Sequence, residues 1–272
     1  MIFQYTYMQR AFAVGILVAI ITPMIGMIVV TKHLSMIGYA LSHSSLAGVA
    51  AGLLFGINPV IGAAMACVAS ALCIEAMRKR ITKFSEMSVA IIMSAGIGLA
   101  GVLSGYVKSP MSFNSFFFGS FVSIDREEVW FAVAVAALVL SCFFLFYRQF
   151  FYVVFDERAA RLSGVKVGVV NFLITMLTAV TVSAAARVVG ALIVSSLMVI
   201  PVACSMQLGK SFKATMAISV LFSLAFTLAG LFLSFYVSGL KTGGAIALVG
   251  VLCFAAIFAF RKFAEKIKIQ IR

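Results

Sequence analysis

One histidine and one tyrosine lie in a long apolar stretch, where they could bind a metal ion. Of the Asp, Glu, Lys, Arg and His residues, only His43 lies deep inside such a stretch, and Tyr39 precedes it by four positions. Residues four apart share one face of a helix, so an imidazole nitrogen and a phenol oxygen would face a passing ion together. Ser42 adds a hydroxyl on a neighbouring face. A histidine hydrogen-bonded to an adjacent helix explains the same pattern, and the sequence leaves both interpretations open.

Common catalytic patterns are absent from the sequence. There is no GxxxxGK[ST] loop for nucleotide phosphates, no HExxH zinc-protease pair and no aspartate inside an apolar stretch. Ser42 and His43 are adjacent, so on a helix they point about 100° apart and cannot form a nucleophile–base pair. Glu75 and Arg187 lie at the ends of apolar stretches, where we expect snorkelling or capping. The sequence therefore does not indicate an enzyme.

The elements that carry these residues are predicted to be membrane-spanning helices. Apolar residues make up 64% of the 272 residues and charged residues 11%, against about 45–50% and 25% in soluble domains. The apolar runs are about 20 residues long, the length of a helix that crosses a bilayer. The sequence predicts an all-α integral membrane protein, a polytopic helical bundle of about nine spans (eight to ten), in one domain of residues 1–272. The predicted spans are 11–30, 35–56, 59–76, 87–106, 129–147, 168–186, 188–207, 214–237 and 244–260.

The sequence allows two interpretations of residues 168–207. The run is apolar apart from Arg187, and Gly190 and Pro201 interrupt it. It forms either two spans joined by a tight turn or one span followed by a re-entrant segment. A re-entrant segment would have to be buried in protein, because lipid offers no partners for backbone hydrogen bonds.

The positive charge of the chain predicts its orientation in the membrane. There are 21 lysines and arginines against 8 acidic residues, a formal net charge of +13. With nine alternating spans, 16 of these cations fall on one side and five on the other. Positive loops face the cytoplasm, so we predict an outside N-terminus and a cytoplasmic C-terminus, with no nucleic-acid partner. The five cations on the outer side are Arg10, Lys108, Arg126, Arg187 and Lys241.

Small residues predict where helices pack closely. Within the span 35–56 they recur every fourth position, which lets another helix approach. We take Gly48 and Gly52 from this span, with Gly190 and Pro201 from the later run, as helix-packing candidates. The repeating small residues are Ala40, Ser44, Gly48, Gly52 and Gly56.

One predicted inner loop, residues 148–167, differs from the others. It is about 20 residues long, it mixes aromatic residues with both signs of charge, and Gly164 is a helix stop near its end. It is either a solvated helical loop or a helix on which a soluble partner docks.

Four segments resemble a known family when they are taken together. Residues 34–48 (LSMIGYALSHSSLAG) and 187–201 (RVVGALIVSSLMVIP) resemble its two span signatures. Residues 155–164 (FDERAARLSG) are similar to its cytoplasmic coupling loop, and residues 116–120 (FFFGS) to an outer-loop motif. The family is the permease subunits of zinc/manganese ABC importers, and the zinc-type permeases are the most similar. The resemblance covers nearly the whole chain, in order.

The resemblance implies partners and a substrate. Two permease chains would form a homodimer around a path in the cell membrane of a prokaryote. Separate cytoplasmic ATPase subunits would bind and hydrolyse ATP, and an extracytoplasmic metal-binding protein would deliver the ion. This chain would hold no cofactor; its transported substrate would be a divalent metal, with zinc favoured over manganese or iron. The residues implied to couple to the ATPase are Asp156, Glu157, Ala159, Ala160 and Gly164.

Position 39 departs from the family pattern. The family usually has an aspartate four residues before the histidine, and this chain has Tyr39 there. A carboxylate suits many divalent ions and imidazole favours zinc, so the exchange slightly weakens the case for manganese. It also leaves open a broader or altered substrate, or a degenerate site. We predict His43, Tyr39 and Ser42 as the metal ligands. The alternative functions are a permease for a metal chelate or vitamin, and a non-transporting membrane scaffold or channel subunit.

Overall fold

The chain forms a bundle of α-helices. The computed structural model describes residues 6–80, 85–107, 110–119, 125–209, 211–237 and 239–270, and no strand occurs in these ranges. The predicted loop residues Lys83, Lys108, Ser120 and Lys210 lie outside them. The helices are α1 (Thr6–Thr31), α2 (Met36–Phe55), α3 (Pro59–Arg80), α4 (Ser85–Ser104), α5 (Pro110–Phe118), α6 (Arg126–Leu145), α7 (Tyr147–Phe155), α8 (Glu157–Leu162), α9 (Val167–Ala185), α10 (Ala191–Met206), α11 (Phe212–Tyr236) and α12 (Thr242–Gln270). A π-helical turn, Ala186–Gly190, joins α9 to α10.

Eight of these helices are long and apolar enough to cross a bilayer, namely α1, α2, α3, α4, α6, α9, α11 and α12. The apolar helix α10 has 16 residues and is therefore about 24 Å long, shorter than the roughly 30 Å hydrocarbon core. The predicted fold class is confirmed, because the described chain is all-helical with eight long spans and a short ninth apolar helix.

Two ion pairs identify the two ends of the bundle. Lys32, which follows α1, pairs with Glu157 of α8 at 2.7 Å. Arg187, in the π turn, pairs with Glu128 of α6 at 2.8 Å. We call the first the α8 end and the second the α5 end, because α5 packs against the π turn.

The short helix α10 resolves the arrangement of residues 168–207. The preceding helix α9 leads from the α8 end to the π turn at the α5 end. At that end Val189 lies against Gly243, near the start of α12. At the other end of α10, the carbonyl of Gln207 accepts a hydrogen bond from Arg261 of α12 at 3.1 Å. The run therefore passes between the ends of the bundle twice and contains no re-entrant hairpin.

The long helix α1 occupies the centre of the bundle, where α6, α9, α10 and α11 pack around it. Close contacts occur at small residues. A Cβ atom on Gly48 of α2 would come within 3.0 Å of Gly62 of α3, and one on Gly52 would lie 3.1 Å from the Cα atom of Pro59. Pro201 is buried within α10. The α4 and α12 helices lie at the periphery and expose many apolar side chains, as expected for surfaces that face lipid or another chain.

Glu75 and Arg187 are both buried, so the expected snorkelling to the membrane surface does not occur at either residue. Glu75 is 6% exposed and lies 3.5 Å from Arg78 in the next turn. It is interior because α3 continues to Arg80, beyond the predicted end at residue 76. Arg187 is 9% exposed, because α5 and α6 cover it.

Candidate metal site

Tyr39 and His43 lie on the outward side of α2. The Tyr39 side chain is 37% exposed and His43 is partly exposed, whereas the three residues between them are buried. The two side chains are one helical turn apart, with about 5–6 Å between Cβ atoms. The predicted pairing of an imidazole and a phenol on one face is therefore present in the structure.

Ser42 is on a different face and points into the protein. It is 1% exposed, and its hydroxyl has no hydrogen-bond partner within the described structure. One turn earlier on the same face, Gly38 approaches α10, where an added Cβ would lie 3.2 Å from Sδ of Met198. The structure therefore brings together two of the three predicted ligands and separates the third.

Backbone contact with α4 fixes the position of His43. A Cβ on Gly96 would lie 2.9 Å from the backbone nitrogen of Ser44 and 3.1 Å from the carbonyl carbon of His43. The Ser44 hydroxyl donates to the carbonyl of Ala40 at 3.0 Å, within its own helix. With so little space between α2 and α4, His43 has little freedom to slide or rotate with its helix.

The exposed face of α2 is unusual for a helix surrounded by lipid. His43 is seven residues into α2, about 10 Å from its first residue. Titratable side chains at such depth usually face protein or a water-filled path, because hydrocarbon cannot solvate them. A neutral imidazole is a good ligand for zinc and related ions. Among the described residues, no group of three or more His, Cys, Asp and Glu side chains is placed to hold a metal ion.

Two of the segments that carry the family resemblance meet at the α5 end. The guanidinium of Arg187 lies 4.5 Å from the ring centre of Phe116, and its Nε donates to Glu128 at 2.8 Å. Gly190 has φ of +93°, and a Cβ atom there would overlap the backbone of Phe118 and Gly119. Only glycine combines this backbone conformation with so close a contact. The contacts join α5, the π turn and α6.

The predicted coupling segment folds as two short helices, α7 and α8, with a break at Asp156. The Asp156 carboxylate caps α8 by accepting hydrogen bonds from the backbone nitrogens of Arg158 and Ala159, at 2.8 and 3.1 Å. At the other end, Gly164 has φ of +81°, the left-handed conformation that follows many helices. These two residues therefore determine where α8 begins and ends.

The predicted coupling residues of α8 differ in their exposure. Ala159 is exposed, but Ala160 is 1% exposed and faces the bundle. Leu162 is 90% exposed. Ala159 and Leu162 therefore form an exposed, apolar side of α8.

Glu157 connects α8 to the turn that precedes α2. Lys32 donates to Glu157 at 2.7 Å and also to Asn171 of α9. Burial lowers the pKa of the Lys32 amine, and Glu157 opposes that shift. Burial acts to raise the pKa of Glu157, but hydrogen bonding and the charge of Lys32 outweigh it and keep that pKa below its ordinary value. The ion pair therefore favours the Glu157 carboxylate.

Sequence reasoning missed several of these functional candidates. Lys32 and Glu157 are 125 residues apart, so spacing gives no hint of their contact. Asn171 could have been noticed as the lone amide in an apolar span. The partner of Arg187, Glu128, gave no signal because it lies among other charges at the start of α6.

Comparisons with known proteins agree with this fold. The model of the ABC 3 transport family matches residues 4–261. A "Probable metal transport system membrane protein" of Treponema pallidum (strain Nichols) is 32% identical over 258 residues, which cover 94% of this chain and 96% of that protein. The "Manganese transport system membrane protein MntC" of Listeria monocytogenes is 30% identical, with coverage of 94% and 91%.

A solved structure shares the architecture. A chain of PsaBC from Streptococcus pneumoniae, solved in complex with Fab, superimposes with a TM-score of 0.83 at 25% sequence identity. The match covers 94% of this chain and 92% of that chain. Since the family model matches well over half of the residues, this chain belongs to the ABC 3 transport family, as one of its membrane-spanning permease chains.

Proposed function

We propose that this chain is the permease subunit of an ABC importer that moves a divalent metal ion, with zinc preferred to manganese, into the cytoplasm. The observation that carries the proposal is the pair of side chains on the outward face of α2. On the surface of a single chain Tyr39 is exposed and His43 is partly exposed, at a depth where contact with lipid would be costly.

A second copy of the chain would cover this face. Two ligands from each chain, related by a twofold axis, would give a ring of four donors at the interface. Transit requires weak coordination, because the ion must leave as well as enter. A phenol and a neutral imidazole supply weaker binding than a cage of carboxylates and thiolates. Ser42 faces inward, and the close packing of α2 on α4 keeps it out of this ring.

The choice of zinc rests on donor chemistry. Manganese suits carboxylate ligands, and zinc suits imidazole. Tyr39 replaces the aspartate that the family resemblance implies, so the face has no carboxylate of its own. The names of the relatives, which include manganese transport proteins, support a divalent metal and keep manganese as the second candidate.

Energy would come from a separate ATPase subunit. The exposed side of α8, with Ala159 and Leu162, would form its docking surface, and the caps at Asp156 and Gly164 would maintain the helix. The Lys32–Glu157 contact would pass movement of α8 to the turn before α2. With α8 on the cytoplasmic side, the N-terminus would be outside and the basic C-terminus inside.

The two histidines of the chain provide a matched test. Zinc and manganese uptake would be measured in cells that lack their own importers and express the parent, His43→Asn or His33→Asn. His33 is exposed and has φ of +57° in the turn before α2, a conformation that asparagine tolerates. We expect His43→Asn to lose most zinc uptake at an unchanged protein level, and His33→Asn to retain it.

Equal uptake by the parent and His43→Asn would contradict the proposed role of this face. Tyr39→Asp provides a second measurement, because restoring a carboxylate should raise manganese uptake relative to zinc. If Tyr39→Asp leaves the ratio unchanged, the preference for zinc does not depend on position 39.

A further inference from the structure

A cleft at the α8 end lies outside the proposed transport path. It has a volume of about 400 Å³ and lies between α7 and the start of α11. Four aromatic side chains and two cations line it, together with Ser211. None of its lining residues is acidic. The aromatic residues and cations are Tyr147, Phe151, Tyr152, Phe212, Arg148 and Lys213.

Contacts between the aromatic rings shape the cleft. The rings of Phe151 and Phe212 meet edge to face with centres 5.5 Å apart, and Tyr147 lies 6.3 Å from Phe212. Lys213 places its Nζ atom 6.0 Å from the ring centre of Tyr147. The two walls are therefore joined by apolar contacts, while Arg148 and Lys213 are exposed and available to a ligand.

The cleft lies at the boundary between the apolar spans and the loops. The spanning helix α6 ends at Leu145, two residues before the cleft begins, and α11 begins at Phe212. Phe144 and Leu145, at the end of α6, are 69% and 77% exposed, and Leu221 of α11 is 65% exposed. Tyrosines and cations next to exposed apolar side chains are typical of the head-group region of a bilayer.

We propose that this cleft binds the phosphodiester head group of an anionic phospholipid. Arg148 and Lys213 would bind the phosphate oxygens, and the tyrosine hydroxyls would donate further hydrogen bonds. The acyl chains would lie along the exposed apolar side chains of α6 and α11. Two cations without an acidic neighbour among the lining residues favour a net negative head group over a zwitterionic one. The site goes beyond the proposed transport function and does not depend on it.

The test uses the full-length purified protein in nanodiscs of phosphatidylcholine with increasing phosphatidylglycerol. Bound lipid would be counted by native mass spectrometry after release from the discs. We expect the parent to retain phosphatidylglycerol over phosphatidylcholine by roughly tenfold or more, because both cations attract the anionic head group. Arg148→Gln with Lys213→Gln should reduce that preference to about threefold or less.

A second double variant controls for net charge. Lys166→Gln with Lys241→Gln removes two exposed cations elsewhere and should keep the preference of the parent. Arg148→Lys with Lys213→Arg keeps both charges and should also retain the preference of the parent for phosphatidylglycerol. This variant separates the loss of a lipid site from misfolding of the protein.

Three results would overturn the proposal. One is an unchanged lipid preference in Arg148→Gln with Lys213→Gln. The second is displacement of phosphatidylglycerol by millimolar inorganic phosphate, which would indicate a site for the free anion. The third is an Arg148→Gln with Lys213→Gln protein that keeps its lipid preference but no longer co-purifies with an ATPase. That result would make the cleft a protein-docking surface.

Discussion

Replacing Arg187 by methionine should destabilise the α5 end strongly. The side chains of Arg187 and Glu128 are each 11% exposed and pair at 2.8 Å. Removing one member of a buried ion pair typically costs 3–5 kcal/mol, because the other charge is left without a partner. The lost contact with the Phe116 ring adds up to about 2 kcal/mol. The double variant Arg187→Met with Glu128→Leu removes both charges, and much of the stability should return.

The assay is thermal unfolding of the detergent-purified protein. The single tryptophan, Trp130, lies on α6 two residues after Glu128, so its fluorescence reports on this end. A loss of about 3–7 kcal/mol should lower the apparent Tm by roughly 6–28 °C. Arg126→Met is the matched control, since Arg126 is exposed at the start of the same helix. An Arg187→Met protein that melts with the parent, or a double variant no better than the single one, would refute the reasoning.

Three further predictions concern other parts of the bundle. Gly190→Ala should lose folded protein on size-exclusion chromatography, because a Cβ atom there overlaps backbone, whereas Gly98→Ala, with open space around it, should behave like the parent. Leu162→Asp should abolish co-purification with an ATPase without changing membrane insertion, and Leu208→Asp, also an exposed leucine at the α8 end, should not. Because the pKa of Glu157 is lowered from 4.5 in the folded chain, its contribution to stability is present above about pH 4.5 and is lost as the pH falls further. The difference in melting temperature between the parent and Glu157→Gln should therefore narrow on acidification from pH 7 to pH 4.

The membrane spans were predictable because bilayer thickness sets the length of an apolar helix. The span predicted at 35–56 is Met36–Phe55 in the structure, and the one predicted at 214–237 is Phe212–Tyr236. The α5 helix was missed, since nine residues are too few to give a length signal. The burial of Arg187 was also missed, because it depends on α5 and α6, which are distant in sequence.

The candidate site was predictable only in part. Four-residue spacing is sufficient to place Tyr39 and His43 on one face of a helix. The repeat of small residues in α2 marks a closely packed face, but which of its other faces points outward depends on the neighbouring helices α3, α4 and α10. The link from Lys32 to Glu157 likewise arises from tertiary packing. The burial of Ala160, which is 1% exposed, arises from tertiary packing in the same way, although its position in the sequence suggested contact with the ATPase.

Transport in proteoliposomes tests most directly whether this permease moves a divalent metal in an ATP-driven way. The purified permease would be reconstituted with its ATPase and metal-binding protein, and uptake of radioactive zinc and manganese would be followed with and without ATP. We expect ATP-dependent zinc uptake that exceeds manganese uptake and is abolished by His43→Asn. Absence of ATP-dependent uptake of either ion by a fully assembled complex would contradict it.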